Sequence, residues 1–307
     1  MAPVLTLTLN PALDIHTTVP QLMFTDKMRC RTPRYDPGGG GVNVARAYAA
    51  LGGTAEAVIT SGGFVGEQLQ ALLGAEGITV HAAAVSGPTR ESFTVTEEWS
   101  GQQYRFVLPG PDLTRDEEER CLQTVHSHIG RARYFVVSGS LPPGCSDDLF
   151  PHLARLATQH DCRLIVDTNG VALRLVTDAY LIKPSLRELR ECVDDTLIDK
   201  KSQVQAARDL ITDGVSEIVV VSYGSNGAMV VTSDTAADIP SFDVPEGSGV
   251  GAGDNMVAAI TYALDKGGNL SDAVRFGTAA GAATLLTPGT SPCNRADVDR
   301  LYAQSRV

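Results

Sequence analysis

The chain has 307 residues, of which 43% are hydrophobic, and this composition is sufficient for a substantial core in one large domain or two. Its formal net charge of −11 provides no overall positive field, so the charge balance argues against nucleic acid as a partner. The sequence has no run of 18 apolar residues and no basic flank followed by an apolar stretch, so we expect neither a membrane partner nor a secretory signal.

Runs of strand length alternate with amphipathic runs of helix length, which predicts an α/β fold with a mostly parallel sheet flanked by helices. In chain order, strands are expected at 4–9, 57–60, 134–138, 163–166, 180–182, 217–222 and 228–232. Helices are expected at 43–51, 66–73, 114–129, 146–160 and 202–212, and three more begin at about 254, 271 and 295.

Two segments depart from this alternation. Residues 91–99 and 102–108 alternate in polarity around Ser100-Gly101, which predicts a hairpin. Together with residues 12–36, this hairpin (about 90–108) is expected to form a small antiparallel β lid over a site. No linker, low-complexity tract or internal repeat interrupts the series, so residues 1–307 are expected to form a single domain.

A glycine-rich loop near the carboxyl end precedes a helical pattern and reads Gly247-Ser-Gly-Val-Gly-Ala-Gly-Asp254. Such a loop lets backbone N–H groups point at one anion, with the positive end of the helix dipole behind them. A carboxylate there would repel an anion, unless its task is to take a proton from a hydroxyl that receives a phosphoryl group. Asp254 is equally well explained as an N-cap, and these residues alone leave both interpretations open.

A second glycine loop, Pro37-Gly-Gly-Gly-Gly-Val-Asn43, also precedes a helical pattern. Four consecutive glycines cost backbone entropy, so the close approach of a ligand explains them better than a simple turn. Asn43 is a candidate N-cap of the following helix. Because both loops are present, we favour the catalytic interpretation of Asp254 over the N-cap interpretation. The two loops together indicate a kinase.

Basic residues must hold any phosphate-bearing ligand locally, because the chain as a whole is acidic. The densest cluster is Lys27-Met-Arg29-Cys-Arg31-Thr-Pro-Arg34, and Arg90 and Arg105 are separate candidates. Alternation places Lys27, Arg29 and Arg31 on one face of a strand, which suits a shared anion, although such runs are also typical of solvated edge strands.

Further polar residues fall just after strand-like runs, where ligands bind in open α/β sheets. They are Asp14, Ser138-Gly-Ser140, Asp167, Lys183 and Ser222. The six cysteines show no CxxC pair, which predicts reduced thiols in a cytoplasmic protein. The six histidines are dispersed, and neither composition nor spacing offers a zinc site.

Five motifs follow one another along the chain: Thr8-Leu-Asn-Pro-Ala-Leu-Asp14, Pro37-Gly-Gly-Gly-Gly-Val-Asn43, Ser138-Gly-Ser-Leu-Pro-Pro-Gly144, Lys183-Pro184 and Gly251-Ala-Gly-Asp254. In this order they resemble the ribokinase/PfkB sugar-kinase family over essentially the whole chain. Gln103-Tyr-Arg-Phe-Val107 and Arg275-Phe-Gly277 are similar to the bacterial minor-type 6-phosphofructokinases within it. The resemblance implies a ribokinase-like fold, MgATP as phosphoryl donor, Mg²⁺, a potassium ion, and a homodimer formed through the lid.

The resemblance also implies roles for individual residues. The catalytic group would be the base Asp254 with an anion hole from the backbone N–H groups of Gly251, Ala252 and Gly253. The sugar would be bound by Asp14, Gly39, Gly40 and Asn43, and its existing phosphate by Lys27, Arg29, Arg90 and Ser140. The nucleotide would be bound by Lys183, Ser222, Gly224 and Gly227, and a monovalent cation by backbone carbonyls of Ser248, Val250 and Gly289.

One motif departs from the family. Its Asn-x-x-Glu is Ser185-Leu-Arg-Glu188 here, so Glu188 is present for Mg²⁺ and nucleotide phosphates, but Ser185 lacks the amide donor. Taken alone, Ser185 is better explained as part of a capping box with Glu188. We expect activity with altered MgATP affinity or nucleotide preference.

Other functions remain as alternatives. Gly247-x-Gly249-x-x-Ala252 fits a relaxed dinucleotide-binding fingerprint, but the acidic residue at the required distance, Asp272, opens a helix instead of ending a strand. A non-catalytic sugar-phosphate sensor is conceivable because of Ser185, although a sensor has no need for Asp254. Among kinases, fructose 6-phosphate as acceptor of a phosphoryl group at its C1 hydroxyl competes with fructose 1-phosphate and tagatose 6-phosphate.

Overall fold

The structure, a computed structural model, describes residues 3–245 and 247–304. Its strands are β1 Val4–Thr8, β2 Ala12–Val19, β3 Arg34–Gly38, β4 Ala55–Ser61, β5 Thr79–Ala84, β6 Arg90–Glu97, β7 Gln103–Val107, β8 Tyr134–Ser138, β9 Arg163–Asp167, β10 Ala179–Ile182, β11 Ser216–Ser222, β12 Ala228–Val231 and β13 Ala236–Ile239. Its α-helices are α1 Gly40–Ala50, α2 Gly63–Ala75, α3 Arg115–Ile129, α4 Leu149–Gln159, α5 Gly170–Leu173, α6 Leu186–Val193, α7 Lys200–Thr212, α8 Ala252–Asp265, α9 Leu270–Thr284 and α10 Arg295–Gln304.

Nine strands form the large sheet in the order β13-β12-β11-β10-β9-β8-β1-β4-β5. All neighbours from β11 to β5 pair in parallel, and only β12 and β13 add antiparallel pairs at one edge. The carboxyl ends of the parallel strands therefore meet at one edge of the sheet, which is where ligands bind in folds of this kind.

Both faces of this sheet are covered by helices, because its central strands are apolar on both sides. On β8, Phe135 and Val137 join one core with α3, α4 and α7, whereas Tyr134 and Val136 join the other with α1, α2, α8 and α9. A mostly parallel α/β sheet with helices on both faces was predicted from the sequence and is confirmed.

The small sheet has the order β3-β2-β6-β7 and is formed by the two segments that the sequence assigned to the lid. β2 with β3 and β6 with β7 pair antiparallel as expected, and the hairpin turns at residues 98–100. β2 and β6 pair in parallel, because the chain passes through the large sheet between them. The small sheet therefore consists of two antiparallel strand pairs, β3-β2 and β6-β7, which are joined by the parallel pairing of β2 with β6.

Several local expectations were wrong. Residues 20–33 contain no strand, so Lys27, Arg29 and Arg31 lie in an exposed loop and share no strand face. Helix α1 begins at Gly40 with Gly39 as N-cap, so Asn43 is inside the helix and is not its cap. The strands β5 and β13 were not predicted, because they are the two edge strands of the large sheet and carry mostly small, half-exposed or exposed residues without a clear apolar period. The short α5 and α6 were also not predicted as elements.

Within the described residues, no helix combines the length and the apolar character needed to cross a membrane. In the same residues all six cysteines are free, and four of them are buried, which agrees with reduced core thiols.

Candidate active site

The glycine-rich loop of residues 247–254 ends in a helix N-terminus at the carboxyl edge of the large sheet. Gly251 is the N-cap of α8 with φ +76°, a left-handed conformation that favours glycine. Asp254 is the third residue of α8 and does not cap it, so the N-cap interpretation of this aspartate was wrong. No side chain caps this first turn, and the N–H of Ala252 donates to the carbonyl of Gly249 at 3.2 Å. Within the described residues the N–H groups of Gly253 and Asp254 have no such bond and can bind an anion, whereas that of Ala252 can do so only on leaving Gly249.

Asp254 is held by two side chains from other elements. Asn43 of α1 donates a hydrogen bond to its Oδ2 at 2.9 Å, and Ser138 at the end of β8 donates one to its Oδ1 at 3.3 Å. Burial raises the pKa of Asp254 to about 6, while the bond from Asn43 and the charge of Lys183 lower it in part. Such a carboxylate is ionised at neutral pH and is poised to accept a proton.

Lys183 lies against the same helix N-terminus. A Cβ atom placed on Gly253 would be 3.5 Å from Nζ of Lys183, and this nitrogen is 3.2 Å from Oδ1 of Asp167. Burial alone would lower the pKa of Lys183, but the charges of Asp167 and Glu188 outweigh it and raise that pKa. The lysine is therefore a buried cation beside free backbone N–H groups, an arrangement that suits a phosphoryl group.

The glycine loop of residues 37–43 packs on the chain itself. A Cβ on Gly40 would collide with Ser138 and Gly139, one on Gly41 with the backbone of Leu7, and one on Gly38 with the side chain of Asp14. Close approach of the protein's own backbone and side chains already accounts for these glycines, and contact of this loop with a ligand stays a prediction. The packing brings α1 against the ends of β1 and β8, and so delivers Asn43 to Asp254.

A second polar group joins the lid to the large sheet. Asp14 lies inside β2, rather than after a strand of the large sheet, and burial raises its pKa to about 6 against the lowering charges of Arg90 and Arg105. Arg90 opens β6 and donates hydrogen bonds to the carbonyls of Asn10 and Leu108 at 3.2–3.3 Å. Asn10 donates to Ser140 at 3.2 Å. Three of the predicted substrate residues, Asp14, Arg90 and Ser140, are therefore linked.

Lys27 and Arg29 are not part of this group. Both are exposed in the loop between β2 and β3, and within the described residues neither makes a hydrogen bond or ion pair. Arg31 in the same loop pairs with Glu98 instead, at 3.0 Å.

The predicted nucleotide residues lie at the carboxyl ends of two neighbouring strands, β10 and β11. Lys183 comes directly after β10 and Ser222 closes β11, and Ser222 pairs with Ser185 in an isolated parallel bridge. Gly224 and Gly227 bound the turn between β11 and β12, both with positive φ. Ser185 forms a capping box with Glu188 at the start of α6: Oε2 of Glu188 accepts from both the N–H and the hydroxyl of Ser185 at 2.8 Å.

The predicted monovalent-cation residues lie in two loops. Ser248 and Val250 belong to the loop that leads into α8, and Gly289 follows α9 with φ +64°. A Cβ on Gly289 would be 3.2 Å from Oδ2 of Asp36, a buried oxygen that has no hydrogen-bond partner.

Sequence reasoning did not assign roles to Asn10 and Asn255, and it named Ser138 and Asp167 without a role. Asn255 donates to the carbonyl of Gly251 at 2.8 Å and accepts from the N–H of Cys293 at 2.8 Å, so it fixes the glycine loop to the chain beyond α9. Ser138 and Asp167 close β8 and β9, and their position at strand ends was the available signal.

Comparisons with known proteins agree on one family. The model of the pfkB family of carbohydrate kinases matches residues 8–297. ATP-dependent 6-phosphofructokinase isozyme 2 of Mycobacterium tuberculosis is 49% identical over 300 residues, which cover 97% of this chain and 88% of that protein. The protein of the same name from Escherichia coli K12 is 40% identical, with 99% of each chain covered. The 1-phosphofructokinase of Escherichia coli K12 is 32% identical over 98% of this chain and 96% of that protein.

Solved structures give the same result. Phosphofructokinase-2 from Escherichia coli in complex with potassium matches with a TM-score of 0.93 at 39% identity, and both chains are covered completely. The same enzyme in complex with fructose-6-phosphate matches with a TM-score of 0.91 at 38% identity, again over the full length of both.

Proposed function

The chain belongs to the pfkB family of carbohydrate kinases, and we propose that it transfers the γ-phosphoryl group of ATP to the C1 hydroxyl of fructose 6-phosphate. It is thus a phosphotransferase with an alcohol acceptor. The observation that carries the proposal is the position of Asp254 in the uncapped first turn of α8, with Lys183 beside that turn. A base and an anion site then meet where a hydroxyl and a phosphoryl group must react.

The transfer follows from this arrangement. Asp254 takes the proton of the C1 hydroxyl, whose oxygen attacks the γ-phosphorus in line as the bond from that phosphorus to the bridging oxygen of ADP breaks. The backbone N–H groups of Gly251, Ala252 and Gly253, together with Lys183, stabilise the charge on the transferring group. Asn43 and Ser138 hold the carboxylate of Asp254 towards the acceptor.

The sugar phosphate is proposed to lie between the lid and the large sheet. Asp14, Gly39, Gly40 and Asn43 would contact its hydroxyls, while Arg90 and Ser140 would bind its phosphate. Bidentate arginine suits a phosphate dianion, and Arg90 is half-buried and interacts electrostatically with Asp14. Lys27 and Arg29, the other proposed phosphate ligands, need the exposed loop to fold over the bound sugar.

The nucleotide is proposed to lie along the ends of β10 and β11. Lys183 would contact its phosphates, and Ser185, Ser222, Gly224 and Gly227 would line the rest of the binding site. The negative charges of three carboxylates raise the pKa of Lys183; they belong to Asp167, Glu188 and Asp254. These carboxylates carry more negative charge than the one lysine neutralises, and oxygen ligands of this kind suit Mg²⁺. Asp167 and Glu188 would hold Mg²⁺, which when bound offsets charge on the nucleotide phosphates.

A potassium ion is proposed at the carbonyls of Ser248, Val250 and Gly289. Oδ2 of Asp36 is buried beside Gly289 and lies 3.7 Å from Nε2 of His16, while Arg34 pairs with Oδ1. The buried Oδ2, which accepts no hydrogen bond within the described residues, supports a cation there. Activity should fall when K⁺ is replaced by tetramethylammonium at constant ionic strength.

Residues 1–307 are proposed to be one domain of a cytoplasmic homodimer that pairs through the lid. All five residues of the lid strand β7 are exposed, and Phe106 and Val107 are 54% and 61% exposed. Pairing with the lid of a second subunit would bury this apolar surface. Phe106→Asp should yield monomers in light scattering, whereas Phe64→Asp, which changes an exposed phenylalanine outside the lid, should leave dimers intact.

The function is tested by a coupled ADP-release assay with MgATP and K⁺. The acceptors are fructose 6-phosphate, fructose 1-phosphate, tagatose 6-phosphate and free fructose. A kcat/KM that is highest for fructose 6-phosphate is expected, and preference for another phosphorylated sugar would establish the alternative kinases. Absence of turnover with all four acceptors would contradict the kinase proposal and favour the alternative of a non-catalytic sugar-phosphate sensor.

A further inference from the structure

Three metal-binding side chains meet outside the active site, although the sequence offered no zinc site by its spacing. They are Glu56 of β4, His81 of β5 and His128 of α3, and one ligand atom of each lies within 4.8 Å of the other two. Glu56 is the second residue of β4 and His81 the third of β5, so the cluster lies towards the amino ends of these strands, away from the edge that carries Asp254.

The contacts within the cluster leave one ligand atom unused. Nε2 of His81 is 2.6 Å from Oε2 of Glu56, and both side chains are less than one-fifth exposed. The ring of His128 stacks on that of His81, with centroids 3.5 Å apart and planes within 16°. Nδ1 of His128 is buried and has no hydrogen-bond partner among residues 3–245 and 247–304, which is costly for a polar atom.

Electrostatics favour a neutral ring at His128. Burial lowers its pKa, the neighbouring His81 lowers it further, and Glu56 offsets this only in part. Two imidazolium rings in such a stack would repel each other, so at least one ring is neutral. Neutral imidazole with a free lone pair is the form of histidine that binds metal ions.

We propose that Glu56, His81 and His128 bind a divalent transition-metal ion of the zinc type, one oxygen and two nitrogens being the protein ligands. Nitrogen with carboxylate ligands suits Zn²⁺, whereas Mg²⁺ prefers oxygen alone. Three protein ligands leave a fourth position for water.

Binding requires a local rearrangement. Zinc–nitrogen and zinc–oxygen bonds are about 2.0–2.2 Å long, and the lone pairs of stacked rings lie in parallel planes, so one ring must leave the stack. His128 is the ring that turns, because it lies next to the last residue of α3 and His81 is fixed by Glu56. The exposed Arg131 opposes a cation there, and the carboxylate of Glu56 compensates for its charge.

The bound ion would fix the end of α3 to the edge strand β5 and to its neighbour β4. Because the cluster is remote from Asp254, it contributes to stability rather than to phosphoryl transfer. Zn²⁺ should therefore raise the Tm of the protein without being needed for turnover.

The test uses the full chain without a histidine tag, freed of metal by a chelator that is then removed. Calorimetric titration with Zn²⁺ in the absence of ATP should give one ion per chain. His128→Gln and His81→Gln should each weaken binding at least tenfold. His152→Gln, which changes an exposed histidine outside the cluster, should bind as the unmodified chain does.

Two further measurements keep the test decisive. Unchanged kcat for the sugar phosphate in the His128 and His81 variants will show that they are folded, and if either fails to fold, Glu56→Gln replaces it. Co²⁺ added to the unmodified chain should develop the strong visible absorption bands of nitrogen ligation. Absence of saturable Zn²⁺ binding, or binding that is equal in all variants, would overturn the proposal and leave the stacked rings as packing alone.

Discussion

The side-chain amide of Asn43 donates a 2.9 Å hydrogen bond to Oδ2 of Asp254, and this bond joins the two glycine loops of the chain. Asn43 is the fourth residue of α1, Asp254 is the third of α8, and the two helices pack against each other on one face of the large sheet. The bond orients the carboxylate and stabilises its charged form, so it links the position of the base to its pKa.

The first prediction concerns pH. We expect kcat to rise with pH through about 6, because burial raises the pKa of Asp254 to about 6 and only the carboxylate accepts a proton. Asn43→Ala removes a bond that favours the charged form, so the pKa of Asp254 rises further and the acid limb of the profile moves to higher pH. The measurement is kcat against pH at saturating substrates.

The pH profile of kcat in Ser138→Ala should be compared with the profile in Asn43→Ala. Its hydrogen bond to Asp254 is longer, at 3.3 Å, so the limb should move in the same direction but less far. Asp14 also has a pKa of about 6, and its titration should appear in the KM for the sugar rather than in kcat. An acid limb that does not move in Asn43→Ala contradicts the assignment of Asp254 as base.

The second prediction concerns the base itself. Asp254→Asn keeps the size of the side chain but removes its ability to take a proton, so kcat should fall by about 10²–10⁴. The KM for the sugar phosphate should change little, because the other proposed contacts remain. Asp272→Asn, at a half-exposed position in the first turn of α9 where the carboxylate pairs with Arg275, is the matched control. Near-normal kcat in Asp254→Asn would return this residue to a purely structural role.

The third prediction concerns Ser185, where the family has asparagine. Asn is as good an N-cap as Ser, so Ser185→Asn should keep the Tm while its added amide reaches the nucleotide site and changes KM or kcat for ATP. Kinetics with ATP and GTP measure the effect. Thr114→Asn changes the capping box of α3 without touching the site and should leave both constants unaltered. Identical nucleotide kinetics in Ser185→Asn would show that Ser185 acts as a cap alone.

The sequence predicted the site best where polar residues follow strand-like runs, because this pattern recurs at the ends of consecutive strands. Ser138, Asp167, Lys183 and Ser222 lie as predicted, because parallel strands bring their carboxyl ends to one edge. The loop with Lys27 was misassigned, because alternating charge resembles a strand but carries no apolar face to bury. Glu56, His81 and His128 could not be found from spacing, since only strand pairing and helix docking bring them together.

The fourth prediction concerns Arg90 and the phosphate of the sugar. Arg90→Lys retains a charge but loses the planar, bidentate donor, so kcat/KM for fructose 6-phosphate should fall roughly 10–100-fold, the equivalent of one or two charge-assisted hydrogen bonds. Turnover of free fructose should fall much less, because it carries no phosphate to be bound. The ratio of the two kcat/KM values is therefore the measurement.

This ratio separates phosphate binding from a structural role. Arg90 also donates to the carbonyls of Asn10 and Leu108, so a loss of lid structure would reduce turnover of both sugars alike. Arg300→Lys, at an exposed position of α10 paired with Asp297, provides the control for an arginine outside the site. An equal loss for both sugars in Arg90→Lys would mean that Arg90 only fastens the lid, and that another cation, such as Lys27 or Arg29, must bind the phosphate.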